Sequence, residues 1–164
     1  KKDLAVFRGT LTGMLPPNSR FSLSTRNSHA ATLSDDEAAE KCLELDRCRL
    51  VYSVNRFYAA QKQKRQPQGR KTTREQPLVD AKLVLPMLQH TDMPKSINGL
   101  SLFGNRMNKK DILKHKAIIM LEGNDAGTGF KWALFSNSVV MTADRPKFTS
   151  WAMEELLETK SNGA

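Results

Sequence analysis

A five-residue apolar run, Ala117 to Leu121, feeds a stretch holding Gly123, Asn124, Asp125, Ala126, Gly127, Thr128 and Gly129 before an apolar segment, Phe130 to Phe135, resumes. Strand, glycine-rich turn, helix is the order these residue types predict. Such a turn lets the backbone approach a ligand closely and aims free N–H groups at it, so the chemistry it suggests is anion binding. Lys131, one turn into the helix, would add a point charge for a phosphate. Gly123, Gly127 and Gly129 match neither the phosphate-loop spacing nor the dinucleotide fingerprint, and glycine-rich turns also serve simple chain reversal. Arg8 beside Gly9 suits an anion equally well, or an ion pair at a strand end.

The elements that must position these residues read as alternating strands and helices. Leu4 to Phe7 is a short buried strand that opens at Arg8-Gly9-Thr10 into a loop rich in Gly, Pro and Asn. Ser34-Asp35-Asp36-Glu37 has capping-box spacing and predicts a long helix. Leu50, Val54, Phe57 and Tyr58 form its expected apolar stripe, with Arg47, Arg49 and Arg56 off it. Pro77 to Ala81 and Leu83 to Leu85 read as a strand and its continuation, limited by Pro86. Asn108 is the expected N-cap of a short helix, with Asp111 at its positive end. Val139 to Met141 is a second apolar strand, and Thr149 to Glu158 an amphipathic helix with Met153, Leu156 and Leu157 inward. This alternation predicts an α/β domain with a parallel sheet covered on both faces.

The 164 residues suffice for one domain with a core and are too few for two full α/β domains. No run of about 18 uncharged apolar residues suits a membrane helix, and Lys-Lys-Asp followed by a short apolar run does not make a signal peptide. Cys42 and Cys48, six apart in an expected helix, are read as buried thiols on different faces. His29, His90 and His115 have no metal-ligand spacing, so no metal site is expected. The net charge of +9 points toward a polyanion. About half of the excess sits between residues 61 and 76, where Lys62, Lys64, Arg65, Arg70, Lys71 and Arg74 face Glu75 alone in a stretch nearly free of apolar residues. It reads as a disordered loop insertion. A basic nucleic-acid-binding module is a rival reading of that charge. It lacks an RNP pattern, a zinc module or a helix-turn-helix, and no nucleic-acid partner is expected.

KHKAIIMLEGNDAGTGFKWALFSNSVVM with the downstream SWAMEELLE, together with AVFRGTLTG and LVDAKL upstream, resembles in order the blocks of glycosyltransferase family 90, which includes protein O-glucosyltransferases and lipopolysaccharide core glycosyltransferases. The lipopolysaccharide type is the nearer in pattern. The resemblance implies the Rossmann-like second lobe of a two-lobed GT-B transferase. That lobe would hold a nucleotide-sugar donor, usually a UDP-sugar, as substrate, with no obligatory metal or other cofactor. Carried over by position, Arg8, Gly9 and Thr10 would approach the diphosphate. Gly123, Asn124 and Asp125 would line the donor cleft, Lys131 and Ser138 would support it, and Glu154 would meet ribose or sugar hydroxyls. The implied partners are a glycan, lipid-linked glycan or protein acceptor, and an N-terminal lobe carrying the catalytic base. The implied setting is the endoplasmic reticulum or Golgi lumen, or the cytoplasmic side of lipopolysaccharide assembly.

Three departures from the family pattern stand out. Gly129 replaces an arginine of the protein O-glucosyltransferase branch. Leu11 occupies one place where a second arginine is usual, leaving Arg20, Arg47 or Arg49 as candidates. The chain runs Thr159 to Ala164 where the family continues with Pro and a His-Tyr pair, so the C-terminus reads as truncated or divergent. The isolated chain is therefore expected to bind donor weakly without transferring sugar; a non-catalytic remnant that serves as an interaction module is the alternative.

Overall fold

The computed structural model describes residues 1–12, 15–16, 18–21, 33–64, 77–85, 90, 92–122 and 129–143. Four parallel strands form the sheet, in the order β2-β1-β5-β6. They are β1 (Lys2–Gly9), β2 (Val79–Leu83), β5 (His115–Ile119) and β6 (Val139–Met141). Between β1 and β2 the chain forms α1 (Asp35–Glu44) and α2 (Asp46–Lys64). A two-stranded antiparallel ribbon, β3 (Ser96–Ile97) with β4 (Leu100–Ser101), precedes α3 (Lys109–Ile112), and α4 (Gly129–Leu134) joins β5 to β6.

Alternation along β1 decides which helices cover which face. Phe7 points into a core shared with Ala38 and Cys42 of α1, Cys48, Val51 and Tyr52 of α2, and Ala81 and Leu83 of β2. Val6, its neighbour, points the opposite way, as successive strand residues must, and packs with Ile118 and Ala133 against Ile112, Leu113 and Trp132. Both faces are therefore covered, and the fold is an α/β sheet flanked by helices, compatible with a Rossmann-like arrangement.

The helix start at Ser34 forms as its spacing predicts. The Glu37 carboxylate accepts from the Ser34 backbone N–H at 3.2 Å and from its hydroxyl at 2.6 Å. Those two bonds, the side-chain one foremost, hold the Glu37 carboxyl below its ordinary range. A lowered carboxylate adds stability that is present above the ordinary glutamate range and is lost as pH falls through the lowered value. Chemical denaturation at stepped pH should therefore show wild type ahead of Glu37→Ala at neutral pH, with the gap closing on the acid side; a gap independent of pH would contradict this.

Two expectations change. The long helix is broken at Leu45, whose extended backbone (φ −101°, ψ 112°) ends α1. That elbow turns Cys42 and Cys48 toward one another, and they form a disulfide instead of two separate thiols. Both are fully buried, as expected. The buried face of α2 is Cys48, Val51 and Tyr52; Phe57, assigned to the apolar stripe, is 58% exposed. Residues 61–64 of the basic insertion continue α2. The rest of that insertion and the helix expected at 149–158 lie outside the described residues. Asn108 caps α3 as expected, its side chain accepting from the Asp111 N–H at 2.9 Å. No described helix is long and apolar enough to cross a membrane.

Candidate functional site

Strand order reverses between β1 and β5. From β1 the chain moves outward to β2, then returns to the other side of β1 as β5. At such a switch point the loops leaving the carboxyl ends of the two central strands diverge and leave a crevice. The structure has a cleft of about 550 Å³ there. β1 contributes Phe7, Arg8 and Gly9, with Thr10 just beyond it; Ile118 and Ile119 of β5, with Met120 and Leu121, form the facing wall. The sides are closed by Arg47 of α2, Arg106 and Lys109 near α3, and Gly129 and Trp132 of α4.

Four cations and no described carboxylate line this cleft. They differ in what they can offer. Arg8 is committed: its guanidinium donates to the Asp80 carboxylate at 2.7 Å, to the Asp80 carbonyl at 3.0 Å and to the Phe7 carbonyl at 2.8 Å. Its side chain is 11% exposed, and its Nε is buried without a hydrogen-bond partner. Arg47 is committed too, to the backbone on both sides of the crevice. Arg106 and Lys109 are exposed at the rim. The Lys109 ammonium lies 5.7 Å from the centroid of the Trp132 ring, within cation–π range. A flat aromatic wall with two solvated cations beside it suits a ligand that carries both a planar group and a phosphate.

Asp80 also acts behind the cleft. Lys82, next but one along β2, donates to the Asn55 side chain at 3.1 Å and to the Ser101 carbonyl at 2.8 Å. Burial lowers the Lys82 pKa first, Asp80 opposes that, and Arg8 adds to the lowering. Since the neutral amine is favoured by folding relative to the free side chain, this lysine weakens the fold at ordinary pH, and the penalty fades as pH rises through its lowered value.

The chain is similar over 52 residues to the O-glucosyltransferase LpsA of Dichelobacter nodosus. Identity there is 38%, and the stretch is 32% of this chain and 16% of that protein. The chain thus spans well under a fifth of the relative it matches. No family model matches the chain, and no solved structure matches it.

The site residues expected from the sequence separate into groups. Arg8, Gly9 and Thr10 stand together at the cleft. Lys131 is exposed on α4 and does not line it. Ser138 precedes β6 at the opposite end of the sheet, where its hydroxyl donates to the His115 carbonyl at 2.8 Å and accepts from the Lys1 ammonium at 2.7 Å. The structure does not bring Ser138 to the cleft. Gly123, Asn124, Asp125 and Glu154 lie outside the described residues.

Of the three candidates for a second arginine, only Arg47 reaches the cleft. Arg20 pairs with Glu40 and Arg49 with Asp46, both at the surface. Leu11 is fully buried in the main core, so an arginine in its place would displace apolar packing. Sequence reasoning missed Arg106, Lys109 and Trp132 as cleft residues. Trp132 lies within the glycine-turn block, and an aromatic beside the turn was the available signal; Arg106 and Lys109 lie in a stretch with no motif.

Proposed function

We propose that this chain is the donor-binding part of a nucleotide-sugar-dependent glycosyltransferase of the two-lobed GT-B type, acting as a member of glycosyltransferase family 90 and taking a UDP-sugar. The observation that carries the proposal is the basic cleft at the β1/β5 switch point, open at the place where α/β sheets bind nucleotides. The two upstream blocks of the resemblance also lie side by side: Ala5 to Gly9 pairs with Val79 to Leu83 across β1 and β2, and Asp80 fixes the Arg8 guanidinium. The similarity to an O-glucosyltransferase supports the same assignment.

In the transfer, the bond between the sugar's anomeric carbon and the diphosphate oxygen breaks as the acceptor hydroxyl oxygen bonds to that carbon. The hydroxyl proton passes to a general base, which the assignment places on the acceptor-binding lobe. The cleft's share is to stabilise the departing nucleoside diphosphate. Arg106 and Lys109 would meet its charge, Gly9 would let the strand end approach it, and Trp132 would offer a face to a planar group. No metal is assigned a role in the transfer. The buried disulfide favours an oxidising compartment, hence the secretory lumen over the cytoplasmic setting.

Calorimetry with UDP tests the proposal. Saturable binding is expected, weakened up to about fivefold by Arg106→Ala and by Lys109→Ala, since an exposed cation is worth up to about 1 kcal/mol. Raising the salt should weaken binding in parallel. One observation favours a second reading, an interaction module without catalysis: Arg8, which the resemblance assigns to the diphosphate, is already neutralised by Asp80. Absence of UDP binding by the folded chain would support that alternative, whereas polynucleotide binding lost on deletion of residues 61–76 would favour a nucleic-acid module.

A further inference from the structure

The geometry points to the elbow between α1 and α2 as a positioning device for the cleft, with Arg47 as its positioning residue and the Cys42–Cys48 disulfide as its fastener. The ladder between β1 and β5 ends at Val6 opposite Ile118, so beyond that pair no backbone pairing holds the two exits at a fixed separation. Arg47 takes over that task. On the β1 side its Nη1 donates to the Thr10 carbonyl at 3.1 Å and to the Thr12 hydroxyl at 2.7 Å. On the β5 side its Nε donates to the Glu122 carbonyl at 2.9 Å, and its Nη2 to the Leu121 carbonyl at 3.0 Å. A planar fork with five N–H groups can serve both edges at once, and an ammonium cannot.

Arg47 reaches these acceptors only because its backbone is held on both sides. Leu45, buried at the break, donates its N–H to the Cys42 carbonyl at 3.2 Å. The next residue after Arg47 is Cys48, covalently closed onto the end of α1. The arc from Cys42 to Cys48 is thus fastened at its ends, with the arginine inside it. Among the described residues Arg47 is the sole contribution of α1 and α2 to the cleft lining. Its guanidinium is engaged by the crevice walls, so it sets their spacing while Arg106 and Lys109 are left to meet a ligand.

Hydrogen exchange on the full chain, read by mass spectrometry without ligand, tests this independently of the donor assignment. In Arg47→Ala, peptides covering 9–12 and 119–122 should exchange about tenfold faster or more, as expected when charge-assisted bonds are lost locally, while residues 4–7 keep their protection. Arg47→Lys should be no better than Arg47→Ala, because it keeps the charge and loses the fork. Cys42→Ala with Cys48→Ala should loosen the same two peptides, and so should reduction of the wild type once two thiols per chain are counted. Exits as protected in Arg47→Lys as in wild type, or a uniform rise of exchange across the sheet in the cysteine variants, would overturn the proposal. UDP affinity, which rests on the function proposed above, should fall about tenfold in both Arg47 variants when measured well below their unfolding midpoints. If wild type fails to bind UDP at all, the donor assignment falls, and the exchange pattern still decides the role of Arg47.

Discussion

Asp92→Ala should cost the fold about 3–5 kcal/mol, the penalty for leaving a buried charge without its partner. Lys41 of α1 is completely buried and Asp92 is 8% exposed. The ammonium donates to both carboxylate oxygens at 2.7 Å and lies 5.9 Å from the centre of the Phe21 ring. The Asp92 carbonyl also accepts from the Leu33 N–H at 3.1 Å, so this residue joins the approach to α1 to the segment before β3. With the carboxylate gone, the Lys41 ammonium must lose its proton, drag water inward or unfold its surroundings, and each is expensive in an interior of low polarity. Replacing both residues together, Lys41→Met with Asp92→Leu, should restore most of the loss or exceed wild type, since buried ion pairs are often no better than apolar packing of similar volume. Urea unfolding at neutral pH measures both. A single substitution costing under about 1 kcal/mol would mean that the ammonium escapes to water.

Phe7→Ala should cost a comparable amount, about 3–5 kcal/mol, because the ring is 3% exposed and sits at the centre of the main core. Its effect is tied to Gly9, which shares its face of β1 two residues on. A Cβ added at Gly9 would stand 2.8 Å from Phe7 Cζ, closer than side chains tolerate, so the ring, packed in the main core, would have to shift. Gly9→Ala should therefore destabilise by about 1–3 kcal/mol through overpacking. In a Phe7→Ala background the same change should be nearly free, giving a coupling well above the few tenths expected of independent sites. Additive losses in the four-member cycle would show that Gly9 is required for something other than the ring. Arg8 stands between them on the opposite face, paired with Asp80. The three residues thus serve packing, charge placement and close approach in turn.

The elements carrying strong local signals were legible. β1, the capped start of α1, β5, α4 and β6 follow from apolar runs, a capping box and a glycine-rich break, all short-range features. The elbow at Leu45 was not, because nothing between Glu44 and Asp46 is a helix breaker; the break is imposed by tertiary packing of Leu45 and closure of the disulfide. The β3–β4 ribbon turns on Asn98 and Gly99, both with positive φ (50° and 73°), a two-residue signal that was present and passed over. Arg8 and Gly9, which a motif singled out, do line the cleft. Arg47 was one of three equal candidates, because its selection depends on where α2 starts relative to β1 and β5. Lys41 and Asp92 are 51 residues apart and resemble surface charges in sequence. Ser138 stands away from the cleft for a simpler reason: it precedes its strand, and only residues that follow parallel strands reach the carboxyl edge.

A titration of the isotopically labelled chain with UDP, followed by amide chemical shifts, tests the central claim most directly because it reports both binding and place. Saturable shifts are expected, concentrated at Arg8 to Thr12, Arg106 to Lys109, Met120 to Glu122 and Gly129 to Trp132, and diminished in Arg106→Ala with Lys109→Ala. Shifts confined to the basic stretch after Gln61, or none at millimolar UDP in a folded chain, would contradict it.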